Sequence, residues 1–252
     1  MKRMSSKVLS TETKRKFIKK CPTCGEDIEK VYLSNGDTFI TECRCIERQR
    51  ELDEINKMAN NKKLIIQKNK EQCGFSKRDF EDTQTKIILN KGNIDPYNKL
   101  IDYANAFNEN TSIGFYLFGS PGVGKSFLSK KVMAIVLNHG FSAYITSVTK
   151  LMKDIKNEMK VYNDDTFRKC LEVDLLVIDD IGTEKPTDFD KAQMFEIINS
   201  RYENKKPIIY TSNLKIDDIK MKYDDFGRIY SRIVGSTIQL TILSPDHRIE
   251  VE

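Results

Sequence analysis

The sequence contains no run approaching the roughly 18 consecutive apolar residues of a membrane span. Its first twenty residues carry lysines where a secretory signal would be apolar. These absences argue against membrane insertion and export and point to the cytoplasm. Histidine is scarce: His139 and His247 stand without ligand-like company, so neither is read as a metal ligand. No internal repeat or low-complexity segment occurs, which argues against a repeat array.

What is present suits a globular protein with one large domain and a small appendage. The 252 residues are 39% hydrophobic and 31% charged, enough for a packed core under a charged surface. The net charge of +5 is unevenly spread. Residues 1–72 hold 17 Lys+Arg against 11 Asp+Glu, and the remainder holds 25 against 26. A basic N-terminal region on a near-neutral body suggests contact with nucleic acid or an acidic partner; a solvated tail is the plain alternative.

The chain reads in four segments. Residues 1–20 are basic, with Glu12 as their one acid, and are expected to be mobile. Residues 21–46 hold four cysteines around Asn35-Gly36, a hairpin turn signal. Residues 47–73 form a helical linker, one helix or a pair, with Leu52, Ile55 and Met58 at helical spacing. Residues 74–252 begin with connector around 79–83 and 90–93. Apolar strands then alternate with helical patterns, the signature of a parallel α/β sheet. Strands are expected at 115–118, 143–146, 175–178, 207–211 and 238–242, and helices at 125–138, 148–160, 189–204 and 225–234.

Gly119-Ser120-Pro121-Gly122-Val123-Gly124-Lys125-Ser126 satisfies the G-x-x-x-x-G-K-[ST] pattern, with a strand before it and a helix opening at Phe127 after it. A triphosphate is wrapped by backbone N–H groups, and residues without a Cβ let the chain approach closely. Lys125 is expected on the β- and γ-phosphates, and the Ser126 hydroxyl on Mg²⁺. Leu175 to Ile178 form an apolar strand ending in Asp179 and Asp180. Asp179 is the candidate Mg²⁺ ligand and Asp180 the residue that orients the attacking water; capping of the next turn is the plain alternative. Asn213, closing the strand before it, could bond the γ-phosphate or the lytic water if the strand order is 5-1-4-3-2. A simple Asn turn competes with that reading.

Cys21-Pro22-Thr23-Cys24-Gly25 has the form of a zinc knuckle, and Cys43-Arg44-Cys45 follows. Four thiolates at this spacing fit tetrahedral Zn²⁺, and so small a unit needs such a staple. The second pair is C-x-C, which strains the usual geometry. A closed sulfur shell makes the metal structural. Cys73 and Cys170 read as ordinary thiols.

Together these residues resemble the DnaC/DnaI helicase-loader family, with the IstB-type transposition ATPases close behind. The resemblance covers about residues 74–252. It rests on 119–126, on Val173 through Pro186, on Ile198 through Pro207, on Tyr210-Thr211-Ser212-Asn213, and on Gly227 through Ile233. It implies an AAA+ P-loop fold with a five-stranded parallel sheet in the order 5-1-4-3-2, binding ATP or ADP with Mg²⁺. Arg232 resembles the arginine finger that reaches a neighbouring subunit, with Arg228 in competition, and this implies self-association. Arg248 resembles the second sensor arginine. Only four residues follow it, so no full C-terminal lid is expected. The implied partners are a replicative helicase of the DnaB family, engaged by residues 1–72, and single-stranded DNA, for which Ser147 to Leu171 is the candidate segment. A transposition helper and a non-hydrolysing adaptor remain open alternatives.

Overall fold

The computed structural model describes residues 14–85, 87, 89–223 and 227–246. Two compact units divide at Lys62/Lys63, inside the segment read as a linker. In the first, β1 (Lys14–Lys20), β2 (Asp27–Tyr32) and β3 (Thr38–Ile40) form an antiparallel sheet in the order β1-β2-β3. The turn at Asn35-Gly36 joins β2 to β3, with Gly36 at φ 89°, as the turn signal predicted. Residues 14–20 are a correction: they were expected to be mobile, yet they form a strand. Every β1 side chain is exposed, so backbone pairing with β2, and not burial, holds this strand.

A single helix, α1 (Arg44–Gln72), follows the hairpin. Its Leu52, Ile55 and Met58 are exposed.

In the second unit, α2 (Lys77–Gln84) occupies the 79–83 stretch that read as connector, and α3 (Ile94–Ala106), for which no element is predicted, follows 90–93. A capping box starts α2: Ser76 accepts from the Asp79 backbone N–H, and the Asp79 carboxylate accepts from Ser76 N–H. Then come β4 (Gly114–Phe118), α4 (Lys125–His139), β5 (Ala143–Ser147), α5 (Val148–Met159), α6 (Asp165–Glu172), β6 (Leu175–Asp179), α7 (Asp188–Glu203), β7 (Ile208–Ser212), α8 (Ile216–Tyr223), α9 (Arg228–Ser236) and β8 (Thr237–Thr241). All five expected strands are present within a residue or so. Helices α6 and α8 were not anticipated, and the helix expected from 225 starts at Arg228, with 224–226 outside the described residues.

The sheet is parallel in the order β5-β6-β7-β4-β8, the expected 5-1-4-3-2 read from its other edge. Alternate residues of each strand feed different cores. Phe115, Leu117, Leu175 and Val177 pack toward α3 and α4, while Tyr116, Leu176 and Ile178 pack with residues of α5 to α9. Burial on both faces explains the unbroken apolar run of β6. Each such side chain contributes on the order of 1.5–3 kcal/mol. Among the described residues, no helix is long and apolar enough to cross a membrane.

Candidate functional site

The strand β4 ends at Phe118, and the chain turns at once into α4. Gly122 (φ 80°) and Gly124 (φ 91°) take left-handed conformations that few other residues adopt. At Gly122 space is also lacking, since a Cβ would lie 1.8 Å from Asp246 Oδ1. The buried Lys125 Nζ donates to the carbonyls of Gly119 at 2.9 Å and Ser120 at 2.8 Å, and to Asn213 Oδ1 at 2.7 Å. Strand order makes the last bond possible: β7 lies between β4 and β6, so its end faces the loop.

The same β7 end organises the two acids. Thr211 Oγ1 donates to Asp179 Oδ1 at 2.6 Å and accepts from the Asp180 backbone N–H at 2.9 Å. Asp180 has φ 55°, unusual for a side chain with a Cβ. Its neighbour Ile181 is held by N–H donation to Thr211 O at 2.9 Å and by Ser212 Oγ donating to Ile181 O at 2.6 Å. Thus the kink that separates Asp179 from Asp180 is fastened from β7.

A cavity of about 550 Å³ opens over the loop. Of the residues proposed from sequence, Pro121, Gly122, Val123, Gly124, Lys125, Ser126, Phe127, Asp180 and Asn213 line it. Gly119 and Ser120 adjoin it through the carbonyls that bind Lys125, whereas Asp179 is not among the lining residues and is tied to the lining Asp180 through Thr211. Its far wall was missed: Asp82, Thr85, Ile87, Asn93 and Tyr97 come from the α2–α3 region. Two signals there were legible, the Ser76/Asp79 capping pattern and the helical spacing of Tyr97, Leu100 and Ala104.

Arg232 lies elsewhere, on α9, with its guanidinium 5.3 Å from the Phe195 ring centre and 5.8 Å from that of Tyr202. It also bonds Asn199 Oδ1. Arg228 stacks on the same Phe195 at 4.6 Å. Arg248 lies outside the described residues.

In the first unit, the sulfurs of Cys21, Cys24, Cys43 and Cys45 all lie within 4.8 Å of one another. Zinc–thiolate bonds of about 2.3 Å in a tetrahedron separate sulfurs by about 3.8 Å, so the donor set fits such an ion. The knuckle forms because Gly25 (φ 74°) lets its N–H return to Cys21 O at 2.9 Å. The C-x-C pair also fits: Cys45 sits in the first turn of α1, and its sulfur lies within 4.8 Å of the other three. Backbone N–H groups of Cys24 and Thr23, and the Cys43 thiol, push the Cys21 thiol down to about 6, favouring the thiolate that binds metal.

The replicative helicase loader DnaC of Buchnera aphidicola subsp. Baizongia pistaciae is 30% identical over 145 residues, 56% of this chain and 58% of that one. This chain therefore spans little more than half the length of that relative. The replicative helicase loader DnaI of Bacillus subtilis (strain 168) is 24% identical over 218 residues, 80% of this chain and 67% of that protein. A crystal structure of the DnaC helicase loader superposes with a TM-score of 0.61 at 24% identity, covering 67% of this chain and all of that one, and shares its fold. The family model described as IstB-like ATP binding protein matches residues 25–227, most of the chain, so the protein belongs to the IstB-like ATP-binding family.

Proposed function

We propose that the protein is an ATP-dependent loader that engages a replicative helicase of the DnaB family and delivers it onto single-stranded DNA in the cytoplasm, with hydrolysis controlling release. The observation that carries the reading is the meeting of Lys125, Asn213 and Asp180 at one cavity above a glycine loop. The names of the DnaC and DnaI relatives favour the loader over a transposition helper.

In this reading Lys125 exchanges its carbonyl and Asn213 partners for the β- and γ-phosphates of ATP, while the N–H groups of 119–126 and the head of α4 at Phe127 face the anion. Ser126 and Asp179 would hold Mg²⁺, which when bound would supply positive charge to the phosphates. Asp180 orients the attacking water, and Asn213, released by Lys125, senses the γ-phosphate. Arg248 contacts the nucleotide of its own subunit. Arg232, stacked on α7 away from the cavity, serves a neighbour's nucleotide on self-association, with Arg228 as the competing finger. The four cysteines would hold a structural Zn²⁺.

The test is ATP turnover with and without single-stranded DNA, for wild type, Lys125→Ala and Arg232→Ala, together with co-purification of a replicative helicase. Turnover is expected in the wild type, is abolished by Lys125→Ala, and falls in Arg232→Ala with ATP affinity kept. No turnover with helicase binding intact would leave the non-hydrolysing adaptor. Association with a transposase in place of a helicase would leave the IstB-like helper.

A further inference from the structure

The strand register of the first unit sorts its charges onto two unlike faces. Side chains alternate along a strand, and cross-strand partners share a face. Lys14 lies opposite Tyr32, Lys16 opposite Lys30, and Lys30 opposite Ile40; beyond the irregularity at Ile18, Lys19 lies opposite Ile28. One face therefore presents Lys14, Lys16, Lys19, Lys30, Tyr32 and Ile40, and it ends where Ile28 is buried beside the cysteines. None of the strand residues on this face is acidic.

The other face is different. There Arg15 pairs with Glu29 at 3.3 Å, Lys20 lies opposite Asp27, Phe17 lies opposite Glu29, and the buried Val31 lies between Arg15 and Phe39. Its charges are matched, whereas those of the first face are all of one sign.

Two details say what the unmatched face fits. Lys16 and Lys30 are direct cross-strand neighbours, an arrangement that destabilises a sheet unless an anion lies between them. Tyr32 is exposed, with Lys30 Nζ 5.3 Å from its ring centre. A flat surface joining spaced cations to an open aromatic ring suits a chain of phosphates carrying unpaired bases, because the ring stacks any base and the lysines follow the backbone. An acidic peptide would use the lysines and leave the ring idle.

We infer that the lysine face of β1–β3 is a binding site for single-stranded nucleic acid, with Tyr32 stacking a base and Lys16 and Lys30 sharing a phosphate. The site adds to the proposed function and does not depend on nucleotide binding by the second unit.

The experiment uses the full zinc-loaded chain and fluorescein-labelled oligo(dT). Lys16→Gln/Lys30→Gln is expected to reduce the slope of log affinity against log salt by about 0.7, the value for the one phosphate that the two lysines share. Tyr32→Ala is expected to weaken binding about tenfold. Arg15→Gln, on the opposite face, should bind as wild type. Ultraviolet crosslinks should map to residues 27–40 and persist in Lys125→Ala, so a failed ATPase reading leaves this result standing. Zinc content equal to wild type shows that the variants are folded. Crosslinks confined to residues 63–252, or unchanged salt slope and affinity in the face variants, overturn the inference. So does competition by poly-glutamate equal to that by oligo(dT) at matched charge.

Discussion

Thr211 holds Asp179 through a 2.6 Å hydroxyl–carboxylate hydrogen bond, and the same oxygen takes the N–H of Asp180 at 2.9 Å. One side chain on β7 therefore sets the rotamer of one acid and the backbone of the next. Groups that orient a metal-binding carboxylate commonly account for 10- to 100-fold in metal affinity or activity. Thr211→Val should lower ATP turnover by about that factor, and Thr211→Ser should restore most of it. Steady-state kinetics over a magnesium series checks this; equal activity in Thr211→Val would remove Thr211 from the site.

Gly122→Ala places a methyl where Asp246 already lies, on a backbone at φ 80°. Loss of ATP and ADP affinity by calorimetry is expected, with far-ultraviolet circular dichroism unchanged. Tight binding by this variant would show that the loop can move away from residue 246.

Cys24→Ser removes one of four sulfurs. Bound zinc should fall from one equivalent toward none by metal analysis, and the first unit should lose order while ATP affinity in the second persists. Retention of a full equivalent would contradict a four-cysteine site.

Arg201 is buried and fans out to the carbonyls of Cys170, Val173 and Pro207 at 2.8–2.9 Å, with longer contacts to Leu171 and Asp174. Burial pulls its pKa down to about 10, so it stays cationic at neutral pH. Arg201→Met orphans those carbonyls and should cost about 3 kcal/mol in urea unfolding. A change under about 0.5 kcal/mol, the surface norm, would show that water replaces it.

Burial alone would raise the Asp190 pKa, but Lys156 at 2.7 Å and the Thr187 backbone and hydroxyl outweigh it and hold the carboxyl below its ordinary 3.8. The stability it adds is present above pH 3.8 and disappears as pH falls through the lower folded value. Asp190→Asn should therefore destabilise at neutral pH and flatten the acid limb of the melting-temperature profile. A parallel shift at all pH values would exclude this linkage.

How much was legible followed from how local each feature is. Four of the five strands could be placed because β4, β5, β6 and β7 are short apolar runs between turn signals. Helix α2 escaped because its residues around 79–83 are polar and none of its side chains is fully buried, and α3 escaped because it buries only Leu100 and Ala104 behind the Asn90–Asn93 turn. The strand at 14–20 escaped because none of its side chains is buried, leaving no apolar pattern to read.

The sequence by itself determined the glycine loop at 119–126 and the cysteine knuckle, since each is a short run whose spacing dictates its own backbone turn, and it placed Asp179 and Asp180 at a strand end. Only the tertiary structure decided that Thr211 would hold Asp179, that the α2–α3 region would wall the cavity, and that Lys16 and Lys30 would face each other. Those relationships join residues distant along the chain. Strand order and register decide them, and a one-residue slip in pairing would undo each sheet contact.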